Sequence, residues 1–184
     1  MKVKTTNTKV QDNTQDNKIV LRRLEDSDVR LVEKWLHVSH VAQWYHEPSE
    51  WIDEIKKRKS DYRWLHHFIA EHDGVPIGFC QYYEYQKSGE TWNGETDPDG
   101  AYSIDYMIGD SYYLNKGYGK EMVKQLMEKI EKLSDSKRII VQPDEENIVS
   151  CNTLISCGFQ FDGTDEIYVL NFESENDQMD DFIF

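Results

Sequence analysis

The chain has 184 residues, of which 30% are charged and 12% are aromatic, and its formal net charge is −14 at pH 7. This length suits one domain with a hydrophobic core of its own. The negative charge argues against a nucleic-acid partner, because such proteins present basic surfaces to phosphate. No apolar run approaches the roughly 18 residues that a membrane-spanning helix requires, so we expect no membrane association. The acidity serves either solubility or the attraction of a cationic substrate.

The two ends of the chain differ in composition from the rest. Residues 1–18 contain few apolar side chains and lack the apolar stretch of a signal peptide, so we expect a disordered lead-in. Residues 174–184 form an acidic tail to which no function is assigned. A single domain is therefore predicted over residues 19–173.

Cysteine and histidine usage indicates neither a metal site nor a disulfide framework. The three cysteines are Cys80, Cys151 and Cys157. Their spacing is not that of metal ligands, and an odd number cannot all form disulfides with one another. Without an export signal they are expected to be reduced thiols in the cytoplasm. The six histidines show no ligand pattern and are interpreted as structural, so no metal is expected.

The first half of the chain predicts a strand, two helices and a β-hairpin. Three apolar runs are predicted strands, at residues 19–24, 65–70 and 76–83. Ser27 resembles the N-cap of a first helix, and a second, charged helix is predicted over residues 49–58. Asp73-Gly74 separates the second and third strands, and this pair favours a tight hairpin turn.

A long polar segment, residues 86–100, interrupts this pattern. Loops of such length within a domain are usually functional or disordered. Its tryptophan and carboxylates would make an acidic aromatic flap suited to a polycation. The residues of this flap are Glu90, Trp92, Glu95, Asp97 and Asp99. A solvated loop whose tryptophan packs on the domain is the alternative.

The second half predicts four more strands and two helices. The strands are expected at residues 102–108, 138–141, 159–162 and 167–172. The clearest helix begins near Gly117, where apolar side chains recur at helical spacing. Asn147 is the predicted N-cap of the last helix, whose inward face would carry Ile148, Leu154 and Ile155. This order predicts an α/β (α+β) fold, with a mixed central sheet of about seven strands flanked by about four helices.

The segment Leu114-Asn-Lys-Gly-Tyr-Gly-Lys120 lies between a predicted strand and the clearest helix. Gly117 and Gly119 would let the backbone turn tightly and point successive N–H groups outward, and the helix adds its positive end. Such a loop suits a pyrophosphate. It has neither the P-loop signature nor the third glycine of a Rossmann fingerprint, and a turn without any ligand stays open as an interpretation.

This loop, with Asn147 and the later Cys157-Gly-Phe159 segment, resembles the acetyl-CoA core of the GNAT superfamily of acetyltransferases. The resemblance implies a GNAT fold that uses acetyl-CoA as co-substrate. It also implies that pantetheine pairs with the strand before the loop, while the pyrophosphate lies on the loop. The residues so assigned to acetyl-CoA are Tyr106, Met107, Ile108, Asn115, Lys116, Gly117, Tyr118, Gly119, Lys120 and Asn147.

A narrower resemblance, to aminoglycoside 6'-N-acetyltransferases, extends over about residues 19–172. The segments that carry it occur in matching order, at residues 40–45, 74–78, 95–98 and 103–109. It implies acetyl transfer from acetyl-CoA to a cationic small-molecule amine, as in antibiotic resistance. The chain would act in the cytoplasm as a monomer or homodimer.

Asp105 is the candidate catalytic residue, because a charge within an extended apolar run is expensive unless it has a task. Strand alternation puts Ser103, Asp105 and Met107 on one face. In the resembled family the matching aspartate faces the amine, so Asp105 would bind the ammonium and help remove its proton. Pairing with an arginine or with solvent is the alternative. The candidate substrate-binding residues are Trp44, Tyr45, Trp92, Asp97, Asp105 and Gln142.

Two positions weaken the resemblance to the aminoglycoside enzymes. The family commonly carries a tyrosine on its last helix that protonates the CoA thiolate; the matching residue is Leu154, so water or Tyr118 would take that role. Gln142 stands where the aminoglycoside enzymes have an aspartate, and Asp144 follows two residues later.

Two other functions therefore stay open. The chain could acetylate another amine, such as a polyamine, a siderophore precursor or a peptide, or it could be an inactive homologue that binds CoA or a cationic ligand.

Overall fold

The computed structural model describes residues 18–89 and 94–172. The strands are β1 Val20–Arg23, β2 His66–His72, β3 Val75–Glu84, β4 Ala101–Ile108, β5 Arg138–Val141, β6 Gln160–Asp162 and β7 Ile167–Asn171. The α-helices are α1 Val29–Leu36, α2 Ser39–Ala42, α3 Pro48–Lys56, α4 Tyr118–Glu131 and α5 Ile148–Ser156. Short 3-10 turns cover Asp26–Asp28, Tyr85–Lys87 and Ser111–Tyr113.

All seven strands belong to one sheet, in the order β1-β2-β3-β4-β5-β7-β6. Helices α1 to α3 share a hydrophobic core with one face of the sheet, and α4 and α5 share a core with the other. The predicted mixed α/β architecture is confirmed. The described residues hold five α-helices rather than about four, because the short segment after α1 forms one helical turn of its own, α2.

The sheet opens between β4 and β5, the one parallel pair among the described strands. These strands pair only through Ala101 with Arg138 and Tyr102 with Ile139. Beyond Tyr102, β4 continues to Ile108 and stays hydrogen-bonded to β3 on its other side. The divergence leaves a wedge next to the second half of β4, and this wedge determines where a ligand can enter.

For α1 and α5, one predicted cap and one predicted buried face are wrong. Ser27 does not cap α1: it lies inside a 3-10 turn that Glu25 caps, with the Asp28 side chain accepting from the Glu25 N–H at 2.8 Å. On α5, Ile148 and Ile155 are 60% and 53% exposed. Seven residues separate them, which is close to two helical turns, so both lie on one outer stripe. The inner face carries Leu154, as predicted, together with Cys151.

Other local predictions agree with the structure. Asp73 and Gly74 both have positive φ in the turn between β2 and β3, as the Asp-Gly pair predicts. Asn147 caps α5, since its side chain accepts from the Ser150 N–H at 3.1 Å. The predicted lead-in and acidic tail, and Glu90 and Trp92 of the flap, lie outside the described residues except for Lys18. Within residues 18–89 and 94–172, no helix is long and apolar enough to cross a membrane.

Candidate active site

A cleft of about 350 Å³ occupies the wedge between β4 and β5. Its floor comes from β4, through Asp105 and Tyr106. One wall comes from the segment between α2 and α3 and from α3 itself, and the other from the end of β5 and the start of α5. Side chains that are far apart in the sequence therefore meet because the strands diverge at this point.

Asp105 faces the cleft from the middle of β4. The Gln81 Nε2 donates to Asp105 Oδ2 at 2.8 Å, and the two residues are directly opposite each other on β3 and β4. Met107 packs in the core of α1 and α3, whereas Ile104 packs in the core of α4, so the predicted strand alternation is confirmed. Gln81 is only 2% exposed, so it restricts the carboxylate to one orientation.

A third polar side chain extends this row onto β2. His67 is directly opposite Gln81 and is 4% exposed. Burial, together with the nearby positive charge of Arg58, lowers the pKa of His67 to about 4. The imidazole is therefore neutral at physiological pH and contributes no positive charge to the side of Asp105 that faces Gln81.

Glu54 of α3 brings a second carboxylate to this region. Its pKa is raised, first by burial and then by the negative charge of Asp105. Trp51, which lines the cleft, precedes it by three residues and so lies on the same side of the helix. The sequence analysis did not single out Glu54, because it predicted α3 only as a charged helix; the spacing from Trp51 was the available signal.

Aromatic side chains make the wall beside these carboxylates. The ring centroids of Tyr45 and Trp51 are 4.9 Å apart, and Trp44 adjoins them in the cleft. Burial and then the charge of Asp105 raise the pKa of Tyr45 well above its usual range. The structure thus places Trp44 and Tyr45 in one cleft with Asp105, where their ring faces suit a cation.

The opposite wall holds the segment after β5. Gln142 and Asp144 both line the cleft. Asp144 also shapes the turn into α5, because its Oδ1 accepts from the Glu146 N–H at 2.9 Å. The carboxylate that the resemblance places at Gln142 is therefore present two residues later on the same wall.

Asp97 lies elsewhere. Its Oδ1 accepts from the Asp99 N–H at 3.0 Å, and Asp99 forms an ion pair with Lys137. The preceding N–H groups, of Glu95 and Thr96, donate to Asp165 at 2.8 and 2.7 Å. This loop lines a groove beside β6 rather than the cleft of Asp105. The substrate-binding role of Asp97 stays a prediction, as does that of Trp92, which is outside the described residues.

The glycine-rich loop turns at the start of α4. Asn115 and Gly117 have φ values of 58° and 83°, and Gly117 is the N-cap of the helix. The prediction that both glycines make the turn is wrong for Gly119, which is helical and has no positive φ. The first turn of α4 has N–H groups without helical acceptors, as at any helix start, and Lys116 and Lys120 add positive charge. The loop suits a phosphate group.

The strand that leads to this loop is fixed at its end. The His40 Nε2 donates to the Ile108 carbonyl at 2.9 Å, and the Gly109 N–H donates to the Ile77 carbonyl at 2.8 Å. Between Tyr102 and this point β4 is not paired with β5. An extended ligand thus has a backbone edge beside the loop.

The hydroxyl groups near α5 differ from the predicted arrangement. Leu154 is fully buried in the core of α4 and α5. Tyr118 is 5% exposed, packs on His72 at a ring distance of 4.9 Å, and does not line the cleft. Tyr106 does line it, and its Oη lies 2.9 Å from Ser150 Oγ.

Comparisons with known proteins show what the whole chain is similar to. The family model described as acetyltransferase (GNAT) domain matches residues 25–167. The aminoglycoside N(6')-acetyltransferase type 1 of Klebsiella pneumoniae is 26% identical over 160 residues, which cover 81% of this chain and 77% of that protein. The probable spermine N(1)-acetyltransferase of Bacillus subtilis subsp. natto is 29% identical over 133 residues, covering 67% of this chain and 78% of that protein.

Among solved structures, the chain is similar to an aminoglycoside acetyltransferase in complex with coenzyme A and kanamycin. The TM-score is 0.72 at 25% identity, and the match covers 84% of this chain and 95% of the other. The similarity therefore extends over most of this chain and nearly all of the other.

Proposed function

The chain belongs to the GNAT acetyltransferase family, and from that premise we propose that it acetylates an amine of a polycationic small molecule, of the aminoglycoside 6'-N type. The observation that carries the proposal is the cleft itself. Asp105 lines it beside the aromatic rings of Tyr45 and Trp51, and Glu54 of α3 lies close enough for the charge of Asp105 to raise its pKa. Two carboxylates next to aromatic faces suit a ligand with more than one ammonium group.

The residues around the wedge fit acetyl-CoA. Its pyrophosphate would lie on the N–H groups of residues 115–120, where Asn115 and Gly117 already have positive φ and two lysines supply charge. Its extended arm would pair with the edge of β4 between Tyr106 and Ile108, next to Asn147 across the wedge. When bound, acetyl-CoA supplies an activated acetyl group as a thioester.

The chain's own residues would prepare the amine. Asp105 would bind the ammonium and accept its proton, so that the nitrogen becomes a nucleophile. Gln81 would hold the carboxylate in position, since its Nε2 donates to Oδ2. Glu54 would bind a second ammonium of the same substrate, which places the reacting amine at Asp105.

A polyamine is the second candidate acceptor. The relative named as a probable spermine acetyltransferase favours it, and two neighbouring carboxylates also suit a linear polycation. The cleft also has tryptophans at positions 44 and 51, however, whose flat faces suit sugar rings, and a volume of about 350 Å³. We therefore place the ring-shaped polycation first.

A panel of amines tests the acceptor. Release of the CoA thiol is measured with acetyl-CoA against kanamycin, spermine, spermidine and a neutral amine. We expect kcat/KM for kanamycin to exceed that for spermine by about tenfold or more, because a pocket discriminates by contacts made along the whole substrate. Higher values for spermine would support the polyamine, and equal values for the neutral amine would contradict a cation-binding site.

The substitution Glu54→Gln tests the second carboxylate. We expect KM for the polycationic acceptor to rise about tenfold, with kcat and KM for acetyl-CoA unchanged, since the substitution removes one ionic contact. Because its pKa is raised, Glu54 loses its charge on acidification before an ordinary glutamate does. KM for the polycationic acceptor should therefore increase at mildly acidic pH in the natural chain, and it should increase much less in Glu54→Gln.

The matched control for Glu54→Gln is Asp53→Asn. It makes the same charge change on the adjacent residue of α3, but Asp53 is 48% exposed and forms an ion pair with Lys57 at 2.7 Å. Equal effects of the two substitutions would mean that net charge, rather than a contact in the cleft, attracts the substrate.

The cellular setting is part of the proposal. Cys80, Cys151 and Cys157 are all free thiols, and the first two are buried, which fits a reducing compartment such as the cytoplasm. The chain is proposed to act as a monomer or homodimer without a nucleic-acid or membrane partner.

A further inference from the structure

Acetyl transfer from a thioester leaves a thiolate, and the chemistry is faster when a positioned acid gives that sulfur a proton. We propose that the acid is the phenol of Tyr106, oriented by Ser150 of α5. This inference rests on the proposed acetyl transfer and adds a catalytic role for a side chain. The sequence resemblance had assigned Tyr106 only a backbone contact.

The position of Tyr106 is the first argument. Tyr106 directly follows Asp105 on β4, so the two side chains project from opposite faces of the strand while both line the cleft. A proton acceptor for the amine and a proton donor for the sulfur are thereby placed on either side of the strand at which the acetyl group would react.

The surroundings of the Tyr106 ring are the second argument. Its Oη lies 2.9 Å from Ser150 Oγ, and a methyl group placed on Gly119 would lie 3.9 Å from its Cε2. The ring therefore spans the gap from the start of α4, where the pyrophosphate would lie, to α5. The arm of acetyl-CoA would have to pass this ring to reach the cleft.

The other candidates are less well placed. Leu154 has no ionisable group and lies in the core. Tyr118 packs against His72 and Tyr113, away from the cleft. Tyr45 packs with the core of α1 and α3, on the side of Asp105. Of the three tyrosines, only Tyr106 reaches α5.

The protonation state of Tyr106 suits an acid. Burial raises its pKa to about 12, so the phenol keeps its proton at physiological pH. Burial also raises the pKa of the neighbouring Cys157 thiol. A leaving thiolate in the same surroundings would be destabilised in the same way, which increases its need for a proton.

The step balances as follows. The amine nitrogen forms the C–N bond, the C–S bond breaks, and sulfur keeps that electron pair. Tyr106 Oη gives its proton to the sulfur and is reprotonated from solvent through Ser150 Oγ. The ammonium substrate loses two protons, the first to Asp105, which returns it to solvent, and the second to solvent from the nitrogen after the C–N bond forms. Because Tyr106 recovers one proton from solvent for the one it gave to the sulfur, each turnover releases one proton.

Binding of CoA tests the contact without turnover. A phenol that donates to the sulfur stabilises the thiolate and so lowers the pKa of the CoA thiol. The pKa of the thiol of bound CoA, followed by ultraviolet thiolate absorbance, should therefore be higher in Tyr106→Phe than in the natural chain. Affinity for a CoA analogue without sulfur should not differ between the two. An unchanged thiol pKa in a variant that still binds CoA would overturn the proposal.

Turnover tests the acid. Tyr106→Phe should lower kcat about 100-fold with KM for acetyl-CoA within about twofold, while Tyr62→Phe, which lies outside the cleft, should have no effect. Thiol release is measured with the best amine and with water alone as acceptor. Since both reactions break the C–S bond, a failure of the proposed amine specificity leaves the second measurement intact.

A second variant decides the case if Tyr106→Phe folds poorly. A ring-fluorinated tyrosine incorporated at position 106 keeps the shape and lowers the pKa of the phenol. The alkaline decline of kcat should then move to lower pH, which a merely structural role would not cause. Two results would mean that solvent, rather than Tyr106, protonates the sulfur. One is a pH dependence of kcat in the fluorinated variant that equals that of the natural chain, and the other is a kcat of Tyr106→Phe within twofold of the natural value.

Discussion

Replacing Asp105 by asparagine is expected to lower kcat about a thousandfold and to leave the affinity for acetyl-CoA within about twofold. Asparagine has almost the same shape, so the contact with the buried Gln81 can be kept while the negative charge and the proton acceptor are lost. Steady-state kinetics with the best amine and calorimetry with CoA measure the two effects separately.

The control for this substitution is Asp26→Asn, which removes the same charge outside the cleft. Asp26 is 75% exposed and forms an ion pair with Lys59 at 3.1 Å. It should leave kcat unchanged. A kcat near that of the natural chain in Asp105→Asn would mean that the carboxylate is a structural partner of Gln81 and that solvent removes the proton from the amine.

Replacing Gly117 by valine is expected to weaken acetyl-CoA binding by about 100-fold or more. Gly117 has a φ of 83° at the N-cap of α4, a conformation that a β-branched residue adopts only with strain of about 1 to 3 kcal/mol. The N–H groups that would meet the pyrophosphate then lose their common direction. Calorimetry on the folded variant gives the affinity, and circular dichroism verifies the fold.

Two further variants distinguish the effect of backbone strain from the loss of the phosphate-binding loop. Gly117→Asn should retain part of the affinity, because asparagine tolerates positive φ. Gly74→Val places the same strained residue in the β2–β3 turn, where φ is 76°, and should lower stability without changing CoA affinity. Equal affinities in Gly117→Val and the natural chain would refute the assignment of the phosphate to this loop.

Local patterns predicted most elements of the described fold. Alternation located β4 and the direction of Asp105, and the Asp-Gly pair at residues 73–74 predicted the hairpin turn. Periodicity failed on α5, where Ile148 and Ile155 share the outer stripe. Hydrophobic residues identify a helix, but which stripe is buried depends on where the helix starts and on what it packs against.

The candidate site was predictable only in part, for a similar reason. Asp105 was detectable because a carboxylate in an apolar strand is anomalous within its own sequence. Glu54 was harder to detect, since its spacing from Trp51 is a weak signal in a charged helix and its nearness to Asp105 depends on how α3 packs. Asp97 is the opposite case, since the sequence predicted a substrate-binding role that the structure does not support by position. Its loop forms a hydrogen bond to Asp165 and an ion pair with Lys137, which hold it on another side of the domain.

The sequence by itself thus determined the fold class, the glycine-rich loop before α4 and the isolated aspartate of β4, since each depends on residues close together in the chain. The tertiary structure decided which carboxylates and phenols share the cleft. The divergence of β4 from β5 opens a cleft lined by Asp105, Tyr106 and Ser150, and the packing of α3 brings Glu54 near Asp105, although nearly a hundred residues separate Glu54 from Ser150. Such contacts depend on strand pairing and helix packing over long distances, which no local pattern of residues encodes.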